Sequence, residues 1–497
     1  MSKNTERHEI IIGLVGAVGV DFEYITNILE KKLESIFYKV EYIKLSDQIK
    51  NYHKYLPDSI RVDIKENPEN ERIKSLMDAG DKFREFVKRG DAVVLLALNK
   101  LSEVRKRGGQ NFSNTYILKS LKHPEEVNTL RRIYGPGFFL IGIHSSRKER
   151  KETLSKAIAK SHSDSRNLGK YDPVSEELMN RDEKGLTDFG QQLSDTFHLS
   201  DVFVSLDDKD RAEEDIERFI ELVFGNPHIT PTKDEYSMFI AYATSLKSGD
   251  LSRQVGATIS NEQGEILSTG TNDVPSPGGG LYWSDSKKRD RDYDRGKDSN
   301  KEEITNIING IERKLKEDLR EELGNTDLRE ILKKTEIKYI TEFGRAVHAE
   351  MDALTQAARL GVSIKDSTLF TTVFPCHNCT KHIIASGIKR VVYIEPYLKS
   401  LATQLHDDAI TVDHSKEGKV LFEPFIGVGP YRFPDLFSLK TRTGRILERK
   451  DTNGKVVEWQ EEKAWPRLPM FPTSYLEQEN REVEKLIKII EKKKKNE

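Results

Sequence analysis

Cysteine is nearly absent from the chain. Among its 497 residues there are two cysteines, Cys376 and Cys379, and only two residues separate them. A framework of structural disulfides is therefore excluded, because such a framework needs more than one pair of cysteines. The C-x-x-C spacing leaves two alternatives open, a redox-active pair and a pair of metal ligands.

The chain also lacks an excess of charge of either sign, since 80 basic and 82 acidic residues give a net charge of −2. A nucleic-acid-binding protein usually carries a basic excess, so the composition does not indicate one, although local segregation of charge is not excluded. No stretch approaches the about 18 apolar residues of a membrane-spanning helix, and the first twenty residues contain no secretory apolar core. We therefore expect a cytoplasmic protein.

The first half of the chain alternates apolar runs with amphipathic stretches, which predicts an α/β domain with a parallel sheet. The turn-forming residues that follow residue 225 place a domain boundary near residue 228. The predicted strands lie within 9–16, 39–47, 91–98, 137–146 and 201–206, and the predicted helices are 21–36 (with Asp21 placed to cap it), 68–89 and 210–224.

The second half, residues 229–497, predicts a separate domain that carries a highly charged, mostly helical insertion over 284–340 and an extension over 398–497. A hairpin is expected where "QVGATIS" and "ILSTGTN" flank the turn "NEQGE". The other elements expected here are helices 233–247 and 348–360, strand 367–373, a helix beginning at Cys376, strand 390–396 and a charged helix 476–495.

Two short motifs in the second half have the residue types of a catalytic zinc site. Residues 348–350 read H-A-E and residues 375–379 read P-C-x-x-C, which together form the H-x-E…P-C-x-x-C pattern of zinc deaminases. A catalytic zinc takes three protein ligands and a water molecule, so His348, Cys376 and Cys379 complete the protein set. The two cysteines lie one turn apart at a helix start, where the helix N-terminus favours the thiolate form.

Glu350 stands two residues from the histidine and is left free to move protons instead of binding metal. The predicted reaction is zinc-assisted hydrolytic deamination. In it, Glu350 takes a proton from the attacking water and delivers protons to ring nitrogen N3 and to the leaving amino group. Taken alone, the C-x-x-C motif could instead be structural. Taken alone, the H-x-E motif could occur by chance.

The segments "QVGATISNEQGEILSTGTNDVPSPGG", "HAEMDAL" and "PCHNCTKHIIASGIKRVVYIEPY" resemble deoxycytidylate deaminases. The resemblance implies that Asn272 bonds the sugar hydroxyl and that backbone groups near Ala349 and Phe374 hold the edge of the pyrimidine. Phe374 replaces the Ser or Thr that is more common in the family before Pro-Cys. For Asn272 the alternative is a turn residue in an Asn-Asp pair.

A second resemblance extends over most of the chain and includes the segments "FGRAVHAEMDAL", "EPYLKSLATQLHDDAI" and "FEPFIGVGPYRFPDLF". In these segments the chain resembles bacterial anti-phage deoxycytidylate deaminases. This resemblance implies an N-terminal P-loop-kinase-like domain, followed by a three-layer α/β/α cytidine-deaminase-like domain. It also implies conversion of dCTP and dCMP to their uracil counterparts, depletion of dCTP in phage defence, and control by a partner RNA. We further expect a homo-oligomer.

The glycine-rich loop "GLVGAVGVD" resembles a phosphate-binding loop at a strand–helix junction, and its amides from Gly16 to Gly19 are candidates for holding a phosphate. Val20 and Asp21 stand where the P-loop lysine and Ser/Thr are expected, so we do not expect phosphoryl transfer. Further cationic candidates are Arg147 and Arg150, which resemble a kinase lid, and Arg289 and Arg291, which could reach a substrate phosphate. For each pair of arginines the alternative is a solvated charged segment.

Three functions remain distinct at this point. The first is a hydrolase that acts on free deoxycytidine nucleotides. The second is a polynucleotide cytidine deaminase, and the third is a regulatory module in which zinc is structural and no turnover occurs. The polynucleotide deaminase would carry basic stripes and exposed aromatic side chains, and the net charge does not favour it.

Overall fold

The computed structural model describes residues 8–53, 55–108, 113–164, 167–183, 185, 187–318, 328–335, 337, 340, 343–397, 400–442, 444–468, 470 and 472–495. Within the predicted insertion, residues 319–327, 336 and 338–339 lie outside the described residues. Among the described residues, no helix has the length and apolar character needed to cross a bilayer.

Strands and helices are numbered along the chain. The strands are β1 Ile10–Gly16, β2 Lys39–Lys44, β3 Asn114–Lys119, β4 Phe138–His144, β5 Val202–Ser205, β6 Gly256–Ser260, β7 Ile266–Thr271, β8 Thr368–Val373, β9 Arg390–Glu395, β10 Ile410–Thr411, β11 Val420–Pro424 and β12 Gly427–Val428. The helices are α1 Phe22–Ser35, α2 Leu45–His53, α3 Glu69–Val87, α4 Ala92–Gly108, α5 Pro124–Tyr134, α6 Arg147–Ser161, α7 Asp172–Glu183, α8 Leu193–Phe197, α9 Lys209–Val223, α10 Lys233–Ser245, α11 Asp292–Arg295, α12 Ser299–Asp318, α13 Leu328–Leu332, α14 Ala349–Leu360, α15 His377–Ala385, α16 Ala402–Leu405, α17 Phe433–Phe437 and α18 Pro472–Lys494.

The chain folds into two compact units. The first unit runs to Pro231 and resumes at Ile426, and the second unit is Thr232–Phe425. The sequence placed the boundary near residue 228 but grouped the whole extension with the second domain. Residues from Ile426 onward instead pack within the first unit, because β12 pairs with β5 and the apolar face of α18 contributes to the same core as α4.

The first unit contains a six-stranded sheet with the order β2-β3-β1-β4-β5-β12. All neighbours are parallel except β5 and β12, which are antiparallel. The central strand β1 is buried along its whole length, as expected for a parallel strand covered on both faces by helices. Asp21 caps α1 as predicted, since its carboxylate accepts the backbone N–H of Tyr24 at 3.1 Å.

One predicted strand of the first unit is wrong. The apolar run 91–98 instead leads into helix α4, and the strand between β1 and β2 is β3, which was not predicted from the sequence. In α4 the residues from Ala92 to Leu98 are all buried, so the run has no polar face to reveal a helical period. A short continuous apolar run is compatible with a buried strand and with a buried helix segment alike.

The second unit contains a six-stranded mixed sheet with the order β10-β11-β9-β8-β6-β7. The predicted hairpin is confirmed as the antiparallel pair β6 and β7, whereas β8 and β9 are parallel. Residues from β6, β8, β9, α14 and α15 form one apolar core, in which Ile259, Leu369 and Ile383 are fully buried. This core fixes the starts of α14 and α15, which carry the predicted metal ligands.

Candidate metal centre and active site

The two cysteines are positioned by the first turn of α15. Cys376 is the N-cap residue with extended backbone angles (φ −69°, ψ 164°), and its sulfur accepts the N–H of Cys379 at 3.5 Å. Cys379 lies inside the first turn and is 1% exposed. The cap conformation turns the Cys376 side chain back over the helix start, so both sulfurs face the same point.

His348 occupies the corresponding N-cap position of α14. Its Nδ1 lies 3.4 Å from Sγ of Cys376 and 3.3 Å from Sγ of Cys379. All three atoms lie within 4.8 Å of one another. Tetrahedral zinc with ordinary Zn–N and Zn–S bond lengths separates such ligand atoms by about 3.5 Å. The donor set and its spacing therefore fit zinc.

Hydrogen bonds within this group favour an ion pair between Cys376 and His348. Hydrogen bonding by Cys379 and His348 lowers the pKa of the Cys376 thiol to about 4, against the opposing effect of burial. The hydrogen bond with Cys376 in turn raises the pKa of His348 to about 9. Before a metal binds, the Cys376 thiolate and the protonated His348 therefore form an ion pair at neutral pH. Binding of a dication would release the proton of His348, because only the neutral imidazole is a metal ligand.

Glu350 lies in the first turn of α14 and is 4% exposed. Burial raises the pKa of its carboxyl, although His348 opposes the rise. A raised pKa favours the protonated form of this carboxyl beside the three ligands, and a general acid must hold such a proton before it donates it. The group that could hold a metal ion consists of His348, Cys376 and Cys379, and the role of Glu350 as the proton carrier stays a prediction.

The predicted substrate residues lie on segments that approach the metal ligands, and their polar groups already have partners in the chain. Asn272 is 8% exposed; its Oδ1 accepts the N–H of Val255 at 2.7 Å, and its Nδ2 donates to the Arg253 carbonyl at 2.8 Å. Each amide group can make a further hydrogen bond, so the sugar contact predicted for Asn272 would be an additional one. In the structure, the side chain of Asn272 anchors the loop before β6.

Ala349 directly follows the ligand His348, and Phe374 lies two residues before the ligand Cys376. Ala349 is fully buried as the first residue of α14, and a side chain at Gly270 would collide with its carbonyl oxygen at 2.1 Å. The N–H of Phe374 donates to the Glu395 carbonyl at 2.8 Å, and its ring packs 4.9 Å from that of Tyr393. Substrate contact at Phe374 would therefore use its carbonyl.

Arg291 does not offer a free guanidinium for a phosphate. Its side chain is 5% exposed and pairs with Asp273 at 2.8 Å, and it also donates to the hydroxyl of Tyr293 at 3.0 Å. Arg289 is about half exposed and lies 4.0 Å from Asp294. Asp273 was not predicted from the sequence, because an Asp after an Asn is typical of a turn. Its position two residues after the end of β7 nevertheless indicated the edge of the sheet.

Two side chains of the first unit, those of Asp182 and Lys122, bond to the backbone of the glycine-rich loop after β1. Asp182, which is fully buried, accepts the N–H of Val18 at 2.7 Å. Lys122 donates to the same carboxylate oxygen at 2.8 Å and to the Gly16 carbonyl at 2.7 Å. Gly19 needs its positive φ of 92°, and a side chain there would meet the Arg150 carbonyl at 2.6 Å. A carboxylate and a lysine therefore occupy the loop that was predicted to hold a phosphate.

The two arginines predicted to form a lid both bind one acidic residue. Arg147 lies 3.1 Å from Glu183 and is about half exposed, whereas Arg150 lies 3.1 Å from the same carboxylate and is buried. They connect the start of α6 to the end of α7.

Comparison with known proteins agrees with the metal site. The family model described as the cytidine and deoxycytidylate deaminase zinc-binding region matches residues 231–395. The deoxycytidylate deaminase of Enterobacteria phage T4 is 37% identical over 163 residues, covering 32% of this chain and 77% of the phage protein. The deoxycytidylate deaminase of phage T2 is 36% identical over 163 residues, covering 32% of this chain and 79% of the phage protein. A solved structure is also similar, the crystal structure of dCMP deaminase from cyanophage S-TIM5 in complex with dCMP and dUMP. The match covers 40% of this chain and 100% of the cyanophage chain, at 22% identity and a TM-score of 0.24.

The matched segment contains all three metal ligands and Glu350. The identity to the phage T4 protein extends over most of that protein's length. The chain therefore belongs to the cytidine and deoxycytidylate deaminase family, and its metal cofactor is zinc.

Proposed function

We propose that this protein hydrolytically deaminates deoxycytidine nucleotides, converting dCMP and dCTP to dUMP and dUTP. The observation that carries the proposal is the convergence of His348, Cys376 and Cys379 within 4.8 Å, with the carboxyl of Glu350 buried beside them. Three protein ligands suit a catalytic zinc, which keeps a position for water, better than a four-ligand structural zinc.

The chain's own residues account for the movement of protons. When bound, zinc supplies Lewis acidity that activates a water molecule for attack on C4 of the cytosine ring. Glu350 accepts one proton of that water and transfers it to N3. It then carries the second proton to the amino group, the C4–N4 bond breaks, and ammonia leaves while C4 becomes a carbonyl carbon. Burial of Glu350 supports this role, because desolvation favours the protonated carboxyl that must act as the acid.

Deoxycytidine nucleotides are the proposed substrates because the phage T4 and T2 relatives are deoxycytidylate deaminases. A bare pyrimidine offers few anchoring groups, whereas a sugar and phosphate supply binding energy that can be used at the reacting centre. Asn272 is proposed to meet the sugar through the remaining capacity of its amide. Arg289, which is half exposed, is the better candidate for a phosphate contact than the buried Arg291.

The first unit is proposed to be P-loop-kinase-like. Its parallel sheet, with β1 between β3 and β4 and a glycine-rich loop after β1, supports this. We do not propose phosphoryl transfer, since Val20 stands where the P-loop lysine is expected and the carboxylate of Asp182 occupies the loop. The homo-oligomer, the partner RNA and the depletion of dCTP in phage defence stay predictions.

Ammonia release is the measurement that tests the proposed reaction. Purified zinc-loaded protein should be incubated separately with dCMP, dCTP, deoxycytidine, cytosine, and single-stranded DNA and RNA. We expect turnover of the two nucleotides and little turnover of cytosine. Equal kcat/KM for deoxycytidine and dCTP would refute the phosphate requirement, and release from the polynucleotides alone would favour a nucleic-acid deaminase.

A matched pair of histidine variants controls for the metal site. His348→Ala should lose zinc and activity together, whereas His382→Ala should retain both, because His382 is exposed on α15 and is not one of the three ligands. Absence of ammonia from every substrate with zinc fully bound would instead support the regulatory module without turnover.

A further inference from the structure

The residues just before the zinc ligand His348 are held by the beginning of the charged insertion. Arg345 donates a hydrogen bond from Nη1 to Oδ1 of Asp292 at 2.8 Å, and from Nη2 to the carbonyl of Asp290 at 2.8 Å. The Arg345 side chain is 23% exposed and that of Asp292 is 16% exposed. This partly shielded ion pair lies three residues from His348 in the sequence. We call Asp290, Asp292 and Arg345 the insertion clasp.

A buried ion pair supports a second contact with the same segment. The N–H of Val347 donates to the Asp273 carbonyl at 3.0 Å. The carboxylate of Asp273 pairs with Arg291 at 2.8 Å, and the two side chains are 1% and 5% exposed. Arg291 also donates to the carbonyl of Tyr282 and, at 3.0 Å, to the hydroxyl of Tyr293. Asp273 is thereby fixed between the end of β7 and the segment that leads to α14.

Both contacts depend on one short stretch of the insertion, since Arg291 stands between Asp290 and Asp292. The segment 345–347 is therefore held through a side chain at one end and through its backbone at the other. His348 must place Nδ1 at 3.3 to 3.4 Å from two sulfurs that belong to a different helix. A functional constellation of this kind tolerates displacements of only about 0.5 Å.

We propose that Arg345, Asp273 and Arg291 are positioning residues for the zinc centre, and that the start of the insertion is a structural part of that centre. They act by fixing the backbone from which His348 extends, and none of them binds metal or substrate in this role. The inference rests on zinc binding by the three ligands and, for its rate measurement only, on the proposed deaminase function.

Zinc affinity is the decisive measurement, made on full-length protein without substrate by competition with a chromophoric chelator. Arg345→Gln removes the charge of the clasp, and we expect it to weaken zinc binding roughly 10–100-fold, the effect typical of residues that support a metal ligand. Arg345→Lys should recover part of this affinity, because it restores the ion pair with Asp292. With zinc in excess, kcat for Arg345→Gln should fall while KM changes less than about twofold, since the residue does not contact substrate in this role.

Arg329→Gln is the matched control. Arg329 belongs to the same insertion and its side chain is 48% exposed beside Glu312 at 3.6 Å, so its loss should alter neither zinc affinity nor kcat. Asp273→Asn tests the second contact in the same assay. If that variant fails to fold, the partly exposed Arg345 still decides the question. Wild-type zinc affinity in Arg345→Gln would overturn the proposal; a wild-type protein that binds zinc but releases no ammonia would count against the proposed function alone.

Discussion

Replacing Asp201 by Asn should destabilise the first unit strongly, because Asp201 is where the C-terminal segment joins the N-terminal sheet. The Asp201 side chain is fully buried, and its Oδ1 lies 3.0 Å from Nε of Arg432 and 2.9 Å from Nη2 of Arg131. Its Oδ2 accepts the N–H of Leu140 at 2.8 Å. Asn keeps the shape of the side chain but replaces one acceptor oxygen with a donor, which must then face another donor.

The size of the effect follows from the burial of Arg432, whose side chain is 5% exposed. Removing one partner of a buried ion pair typically costs about 3–5 kcal/mol, since the other charge remains desolvated. For a large domain, each kcal/mol shifts Tm by roughly 2–4 °C. We therefore expect Tm of the first unit to fall by roughly 6–20 °C.

Differential scanning calorimetry of the full chain measures this, with Glu177→Gln as the control. Glu177 forms an exposed pair with Lys74 at 3.7 Å, with side chains 68% and 50% exposed, and such a pair contributes at most about 1 kcal/mol. If Asp201→Asn melted at the same temperature as Glu177→Gln, the buried pair would not hold the two segments together and the reasoning would be wrong.

Further predictions concern the metal, the proton carrier, the glycine-rich loop and acid stability. Cys376→Ala should lose zinc by elemental analysis, because two ligands hold the ion much more weakly than three. Glu350→Gln should retain zinc, yet lose roughly 10²–10⁴-fold in kcat, measured by ammonia release. Deamination should proceed without ATP, and stoichiometric ADP release would contradict this. Burial alone would raise the pKa of Asp91, but hydrogen bonds from Arg89 and Thr129 outweigh it and lower that pKa. The associated stability is present above about pH 4, the unfolded value, and is lost as pH falls further. Asp91→Asn should therefore lose less stability than wild type between pH 5 and pH 3 in urea titrations.

The metal centre could be predicted from the sequence because each of its residues is fixed by local structure. A cap residue and the residue three positions later face the same point at a helix start, so C-x-x-C defines two ligands without knowledge of the fold. His348 and Glu350 occupy one helix start for the same reason. Amphipathic helices such as α1 and α9 could also be predicted from the sequence, since their polar faces reveal the helical period.

Features that depend on contacts between distant parts of the chain could not be predicted. The burial of Arg291 against Asp273 depends on how the loop after β7 folds back, and a run of mixed charges reads as solvated. The carboxylate of Asp182 in the glycine-rich loop comes from a helix more than a hundred and sixty residues away. The membership of residues after Ile426 in the first unit depends on the pairing of β12 with β5, and β12 is too short to show alternation.

The return of the chain to its first sheet has a consequence for synthesis on the ribosome. More than two hundred residues separate β5 from β12, so at translation rates of about 5–20 residues per second roughly 10–40 s pass before the partner strand is made. During that time β5 pairs only with β4 and is an edge strand, and Asp201 has no Arg432 beside it. A chain terminated at Phe425 would keep that edge permanently, and exposed strand edges pair readily with other chains. Premature termination after the complete deaminase unit should therefore yield aggregates, even though every zinc ligand has already been synthesised.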